Sequence, residues 1–139
     1  MKFKKTSIIL LASLAIFMFS GIASAYTFWN VGYGVGLDVY GYGADWSGSC
    51  FATQVTDGGD WRYYDVTGVK DRCQVYENGV KIVDTSRTDT SSPYSAELTG
   101  SESSDNESNT WKVRSTGYCR AEGNTSYEYV GYAEMWDTN

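Results

Sequence analysis

Past residue 25, apolar side chains recur at every second position of the chain, and glycines interrupt the pattern at short intervals. Alternation with a period of two places apolar groups on one face of a β-strand, whereas a helix needs a period near 3.6. No window of this region shows the helical period. We therefore predict an all-β domain, a single antiparallel β-sandwich of about seven or eight strands.

The dipeptide Asn78-Gly79 is the clearest local signal in the chain. It separates two alternating stretches, and both of its residues accept the positive φ angles of a type I′ turn. A two-residue turn pairs Glu77 with Val80 and Val75 with Ile82. The sequence therefore predicts a β-hairpin with this register.

The segment from Gly32 to Gly43 has apolar residues on one parity and mainly glycine on the other. A strand with bare glycine on one face indicates close approach by another backbone or by aromatic rings. We expect the next turn at Asp45–Gly48 and a second strand at Ser49–Thr56. The polar run Gly100–Asn109 predicts an exposed loop.

The first 25 residues have the organisation of a secretory signal peptide. Three lysines precede a short apolar run, and Ala23-Ser24-Ala25 supplies the small residues of a cleavage site. We predict cleavage before Tyr26, so that residues 1–25 are a signal peptide and residues 26–139 form one secreted, extracellular domain. No second stretch approaches the ~20 apolar residues of a membrane helix, which predicts no membrane insertion after cleavage.

Acidic residues dominate the charge of the chain. It has 11 Lys and Arg against 17 Asp and Glu, a formal charge of −6. Loss of Lys2, Lys4 and Lys5 with the signal peptide leaves 8 Lys and Arg against 17 Asp and Glu, a formal charge of −9. Negative charge opposes binding to phosphate backbones and anionic lipids, so we predict no nucleic-acid partner.

The chain contains no histidine. This excludes Ser-His-Asp and Cys-His catalytic arrangements and any metal site built on imidazole. A glycosidase pair remains open among the 17 acids, although such enzymes need a cleft that buries a sugar ring. Asp57 and Asp60 leave a loose calcium site open. We predict no catalytic residue, no cofactor and no metal site.

Cys50, Trp61 and Cys119 follow one another in the order Cys, Trp, Cys. In this the region resembles an immunoglobulin-like domain, whose two cysteines bridge the sheets beside a buried tryptophan. The resemblance implies an immunoglobulin-like sandwich. Cys50, Cys73 and Cys119 allow three pairings, and the resemblance makes Cys50–Cys119 the expected disulfide. The tyrosine that the family places two residues before the second cysteine is absent, because position 117 is glycine and Tyr118 adjoins Cys119.

Two short motifs match the acceptor sequence for N-glycosylation. Asn106 begins the motif Asn-Glu-Ser in the predicted loop, and Asn124 begins Asn-Thr-Ser in a predicted turn. We therefore name Asn106 and Asn124 as candidate glycosylation sites of an exported protein.

Aromatic residues are in excess: the chain has 5 Trp and 12 Tyr, all beyond residue 25. Leucine and isoleucine are scarce there, so some rings must pack in the core in their place. Rings left on the surface could stack on the C–H faces of sugars or on a protein partner. The candidate binding residues are Tyr40, Tyr42, Trp46, Trp61, Tyr63, Tyr64, Tyr132 and Trp136.

These observations favour a secreted, non-catalytic binding module that recognises extracellular polysaccharide or a surface protein through surface aromatics. The alternative is a structural subunit of an extracellular fibre, matrix or surface layer. Such a subunit would self-associate by adding a strand to a neighbour's sheet. The absence of any catalytic constellation argues against an enzyme.

Overall fold

The computed structural model describes residues 30–57, 60–62 and 66–139, with the backbone alone for 55–57 and 60–62. The predicted signal peptide lies outside these residues. The described part of the chain holds no helix long and apolar enough to cross a membrane. It forms β-strands with these bounds: β1 (Val31–Tyr40), β2 (Gly43–Ala52), β3 (Val55–Asp57), β4 (Asp60–Arg62), β5 (Val66–Glu77), β6 (Val80–Asp89), β7 (Ser95–Ser103), β8 (Thr110–Ala121) and β9 (Glu128–Thr138).

Seven of these strands form two antiparallel sheets. The three-stranded sheet has the order β1-β2-β7, and the four-stranded sheet has the order β6-β5-β8-β9. Strands β3 and β4 pair separately as a two-stranded ribbon. The two sheets pack face to face, because residues of both belong to the same buried clusters. The prediction of an all-β, antiparallel, sandwich-like fold of about seven strands is confirmed.

The core between the sheets consists of two clusters. One contains Ala44, Trp46, Cys73, Val75, Trp111 and Val113. The other contains Cys50, Ala52, Val66, Val69, Ala96 and Cys119. Trp111 is the largest fully buried side chain of the described residues, and truncating a buried tryptophan to alanine typically costs about 3–5 kcal/mol. Tryptophan thus fills core volume that leucine and isoleucine fill in most domains.

The first turn lies earlier than the sequence predicted. Strand β1 ends at Tyr40 and β2 begins at Gly43, so the expected turn at Asp45–Gly48 is wrong and these residues lie inside β2. Gly48 faces the four-stranded sheet, where a Cβ would stand 2.6 Å from Asp71 Oδ2 and 2.6 Å from Cys73 Sγ. The glycine at 48 is therefore required by close packing rather than by a turn.

The hairpin at Asn78-Gly79 is confirmed, with φ angles of 49° and 82° at its two residues. The predicted pairing of Val75 with Ile82 is wrong. A β-bulge beside Val75 shifts the register by one residue, so that Val75 stands opposite Val83. Val83 consequently packs against the core, whereas Ile82 is 42% exposed.

Aromatic and hydroxyl side chains of β2 cover the glycine side of β1, as the sequence predicted for close approach. A Cβ at Gly32 would stand 2.7 Å from the ring of Phe51, and one at Gly34 would stand 3.1 Å from Ser49 Oγ. The predicted loop at Gly100–Asn109 is only partly correct, because β7 continues to Ser103. Gly100 pairs with Trp46, whose ring occupies the space that a side chain would fill.

The three cysteines are free, buried thiols. The expected Cys50–Cys119 disulfide is therefore absent, although both residues belong to one core cluster. The sulfurs of these two residues lie beside backbone carbonyls instead. Cys50 Sγ is 3.6 Å from the oxygen of Tyr118, and Cys119 Sγ is 3.9 Å from the oxygen of Arg120.

Candidate functional site

The candidate binding residues do not form one surface. Tyr40 and Tyr42 lie at the β1–β2 turn and are 46% and 52% exposed, while Tyr132 and Trp136 lie on β9. Trp46 belongs to the core and is 6% exposed, so its assignment to an exposed surface is wrong. The side chains of Trp61, Tyr63 and Tyr64 lie outside the described residues, as do those of Asp57 and Asp60.

Trp46 is buried because it points inward from the centre of β2. Its indole Nε1 donates a hydrogen bond of 3.1 Å to Glu102 Oε1, which satisfies its polar atom. The ring lies over Gly100 of β7. Trp46 therefore stabilises the three-stranded sheet and presents no face to a ligand.

The two tyrosines at the β1–β2 turn are held by acidic groups. The Tyr40 hydroxyl donates to Asp45 Oδ1 at 3.3 Å, and the Tyr42 hydroxyl donates to Glu107. The pKa of Tyr42 is raised chiefly by its hydrogen bond to Glu107. The pKa of Tyr40 is raised by desolvation and by Asp45. Both rings thus belong to an acidic end of the molecule.

Tyr132 and Trp136 belong to a larger surface, the outward side of the four-stranded sheet. In β8 the residues at 111, 113, 115, 117, 119 and 121 are buried between the sheets, so those between them point outward. The strand register aligns these outward residues with outward residues of the neighbouring strands. We call the central part of this surface the cationic–aromatic face; it comprises Lys70, Arg72, Gln74, Tyr76, Lys81, Asp84, Lys112, Arg114, Thr116, Tyr118, Tyr129, Tyr132, Glu134 and Trp136. Arg120 also points outward from β8, beyond this part, and lies over the ring of Tyr127.

On this face the cations lie over the rings of cross-strand neighbours. The ammonium of Lys112 is 4.4 Å from the ring centroid of Tyr76, and the guanidinium of Arg114 is 4.6 Å from that of Tyr132. Lys70 lies 5.4 Å from the centroid of Tyr118. Such contacts contribute about 0.5–1 kcal/mol each where they are exposed. Each contact holds a tyrosine ring and a cation in a fixed position relative to each other.

Two carboxylates join the cations of adjacent strands. Asp84 binds Arg72 at 2.7 Å and Lys81 at 2.6 Å. These hydrogen bonds hold the pKa of Asp84 well below its usual range, and the one from Arg72 has the largest effect. Glu134 binds Arg114 at 2.5 Å, which raises the pKa of that guanidinium. The ion pairs are exposed, so they fix geometry more than they stabilise the fold.

The face is locally cationic in an acidic chain. Its five Lys and Arg residues and two acids give a net charge of +3, against −6 for the whole chain. At its edge Trp136 is 73% exposed, the largest value among the exposed large hydrophobic residues of the described chain. Trp136 stands opposite Lys112 in the register. The face therefore offers flat apolar rings beside positive charges.

Sequence reasoning missed Tyr76, Tyr118 and Tyr129 as members of this surface. Tyr118 and Tyr129 stand opposite each other, with ring centroids 6.2 Å apart and planes at 75°. In the sequence, Tyr118 lies an even number of residues from Lys112 and Arg114, so strand alternation puts the three side chains on one side. That shared parity was the signal that could have found the face.

The carboxyl of Asp71 lies inside the core, where a ligand cannot reach it. Asp71 is 0% exposed, and Ser115 Oγ donates a hydrogen bond of 2.7 Å to its Oδ1. Asp71 Oδ2 has no hydrogen-bond partner among the described residues. Burial raises the pKa of Asp71 to about 6. The described residues contain no cluster of three metal-ligating side chains.

The candidate glycosylation residues differ in their surroundings. Asn106 is exposed in the loop between β7 and β8, and its backbone N–H donates to Ser104 Oγ at 3.2 Å. Asn124 is half-buried in the turn before β9, and its amide donates to Glu128 Oε1 at 3.4 Å. Glycosylation at either residue stays a prediction.

Comparisons with known proteins add little to this picture. No known family and no curated protein matches the sequence. A crystal structure of a protein from Archaeoglobus fulgidus aligns with 78% of this chain and 94% of its own, at 14% identity and a TM-score of 0.32. A likeness at this level carries no argument about function.

Proposed function

We propose that the protein is an exported, non-catalytic binding module that holds an acidic extracellular polysaccharide on its cationic–aromatic face. The observation that carries the proposal is the pairing of Tyr76, Tyr118 and Tyr132 with cations across one sheet face, beside the exposed Trp136. Export rests on the signal peptide predicted at residues 1–25.

The chemistry of the face suits a chain of acidic sugars. The C–H faces of sugar rings pack on aromatic planes, and Trp136 and Tyr132 offer such planes on β9. Carboxylates of the polymer would accept hydrogen bonds from lysine and arginine. Gln74, which lies among these residues in the register, can bond sugar hydroxyls.

The ion pairs lower the entropic cost of binding. Arg72 and Lys81 meet on Asp84, and Arg114 and Lys112 meet on Glu134. Long side chains that are already held lose less freedom when a ligand arrives. The net charge of the face stays positive, so it attracts polyanions although the whole chain is acidic.

We also propose that the scaffold is an immunoglobulin-like sandwich. Along the chain, β1, β2 and β7 are the first, second and fifth strands of the two sheets, and they share one sheet. Strands A, B and E of immunoglobulin domains do the same, and β6 lies beside β5 as an added C′ strand does. Cys50 and Cys119 lie on the strands equivalent to B and F. Trp61 lies in β4 and not on the strand equivalent to C, which weakens that part of the resemblance.

The proposed binding is tested by titrating the exported protein with a polyuronate and with a neutral glucan while tryptophan fluorescence and calorimetry are followed. We expect the polyuronate to bind at low salt and to bind more weakly as salt is raised. Trp136→Ala should reduce the association constant about tenfold or more, because exposed tryptophans at binding surfaces commonly dominate the energy.

Tyr42→Ala is the matched control, since Tyr42 is an exposed ring at the β1–β2 turn of the other sheet. It should bind as the unaltered protein does. The proposal fails if no polyuronate binds, or if Trp136→Ala and Tyr42→Ala behave alike. Equal affinity for single-stranded DNA would show a general polyanion surface and overturn the polysaccharide assignment.

A further inference from the structure

The outward side of the three-stranded sheet differs sharply from the cationic–aromatic face. The register of β1, β2 and β7 brings small, polar and acidic residues together there. We call the central part of this surface the serine–glycine face; it comprises Gly34, Gly36, Asp38, Asp45, Ser47, Ser49, Glu97, Thr99 and Ser101. Phe51 lies on the same side at one end of it and Tyr40 at the other.

Its acids are part of the outward surface. The Ser101 hydroxyl donates to Asp45 Oδ1 at 2.6 Å, and the Ser95 hydroxyl donates to Glu97 Oε1 at 3.3 Å. With Asp38, these acids give the face a charge of −3, because its nine members include no lysine or arginine. Arg87 of β6 reaches the edge of this face, where its guanidinium donates to the carbonyl oxygen of Glu97 at 3.5 Å.

The centre of this face is flat. Gly34 stands opposite Ser49, and Gly36 stands opposite Ser47, so no large side chain rises there. Large aromatic rings can lie on such a surface without steric conflict, and serine hydroxyls remain available to donate hydrogen bonds.

We propose that the serine–glycine face of one copy of this chain docks on the cationic–aromatic face of a second copy. The occupant is a second copy because the two faces are opposite in charge, −3 against +3, and fit in shape, since rings project from one face and the centre of the other is flat. Electrostatic complementarity of this kind favours correct partners and accelerates association.

The two faces lie on opposite sides of the sandwich, so the contact is heterologous. A copy that uses one face leaves the other free for the next copy. The expected product is a linear stack that grows with concentration, rather than a closed dimer. Acidic polysaccharide would compete for the same face, but the inference does not depend on polysaccharide binding.

Two variants separate the faces. Asp38→Lys/Glu97→Lys makes the serine–glycine face positive, and Lys112→Ser/Trp136→Ser removes a cation and a ring from the cationic–aromatic face. Sedimentation velocity at low salt should show stacks for the unaltered protein and monomers for each variant alone. An equimolar mixture should form a 1:1 dimer and nothing larger, because each variant keeps one working face and the two altered faces are both positive.

The dimer in the mixture also shows that both variants are folded. Asp105→Lys/Glu122→Lys, with the same charge change in exposed loops, is the control and should stack as the unaltered protein does. A strictly monomeric protein at high concentration overturns the proposal. So does association that both face variants retain, which would indicate strand addition at a sheet edge.

Discussion

The ring of Tyr33 in β1 occupies the space in front of Gly131 in β9. A Cβ at Gly131 would stand 2.6 Å from Cε1 and 2.6 Å from Cζ of that ring. Gly117 faces Gly131 across β8 and β9, and a Cβ there would stand 3.2 Å from Tyr33 Cβ. The two glycines thus form a slot that receives a tyrosine from the opposite sheet.

Gly131→Ala should destabilise the protein, because the new methyl group cannot fit beside the Tyr33 ring without moving it. Overpacking of this kind costs about 1–3 kcal/mol in the free energy of unfolding. Denaturant unfolding followed by circular dichroism measures the change. Gly41→Ala is the control, since a Cβ at Gly41 has no atom within 4 Å.

The same pair can be tested for direct coupling. In a Tyr33→Ala background, the penalty of Gly131→Ala should largely vanish, because the ring that it meets is gone. A double-mutant cycle gives this coupling energy. If Gly131→Ala costs the same with and without the ring, the slot is not the reason for the glycine.

Position 117 shows which part of the fold the sequence could predict and which part it could not. The inward and outward sides of β8 follow from the alternation of its sequence, because strand parity is a local property. Glycine at 117 is explained by two residues that are distant in sequence, since a Cβ there would stand 3.1 Å from Cys50 Sγ and 3.2 Å from Tyr33 Cβ. Nothing near Gly117 in the sequence indicates these contacts.

The wrong predictions for β2 also concern residues whose environment is set by contacts with distant parts of the chain. Asp45, Ser47 and Gly48 have the composition of a turn, but Gly48 is small because Asp71 and Cys73 lie against it. Trp46 was expected on the surface, although its ring covers Gly100 of β7. Pairing between distant strands decides these positions, and a single sequence does not contain that pairing.

Of the proposed binding surface, the sequence predicted only Tyr132 and Trp136. The other residues of the cationic–aromatic face were missed because the net charge of the chain, −6, does not indicate that five of its cations share this face. The register of β5, β8 and β9 brings those cations under the rings. That arrangement exists only after the strands have paired.

The buried carboxyl of Asp71 should make stability fall as pH rises. Its pKa is about 6 in the folded protein, chiefly because of burial, and an unfolded aspartate titrates near 3.8. A raised folded pKa means that the contribution is fully present below pH 3.8 and is lost as pH rises through 6. From the size of this shift, the ionised carboxyl costs about 3 kcal/mol at neutral pH.

Asp71→Asn should therefore gain stability relative to the unaltered protein between pH 4 and pH 7, as measured by urea unfolding at several pH values. Asp84→Asn is the contrasting variant, because arginine and lysine lower the pKa of Asp84. Its stability deficit should be present above pH 4 and shrink below it. A stability difference for Asp71→Asn that is flat with pH would contradict the assigned ionisation.

The three cysteines should resist thiol reagents until the protein unfolds. Each lies in the core, and burial raises the pKa of Cys50, Cys73 and Cys119 to about 12, so the reactive thiolate is scarce near neutral pH. A maleimide added to the native protein should label none of them within the time that labels a small thiol. The same reagent in urea, without reductant, should label all three, as counted by mass spectrometry. Labelling of only one cysteine in urea would reveal a disulfide and contradict the structure, and rapid labelling of the native protein would show that the core opens on the time scale of the reaction.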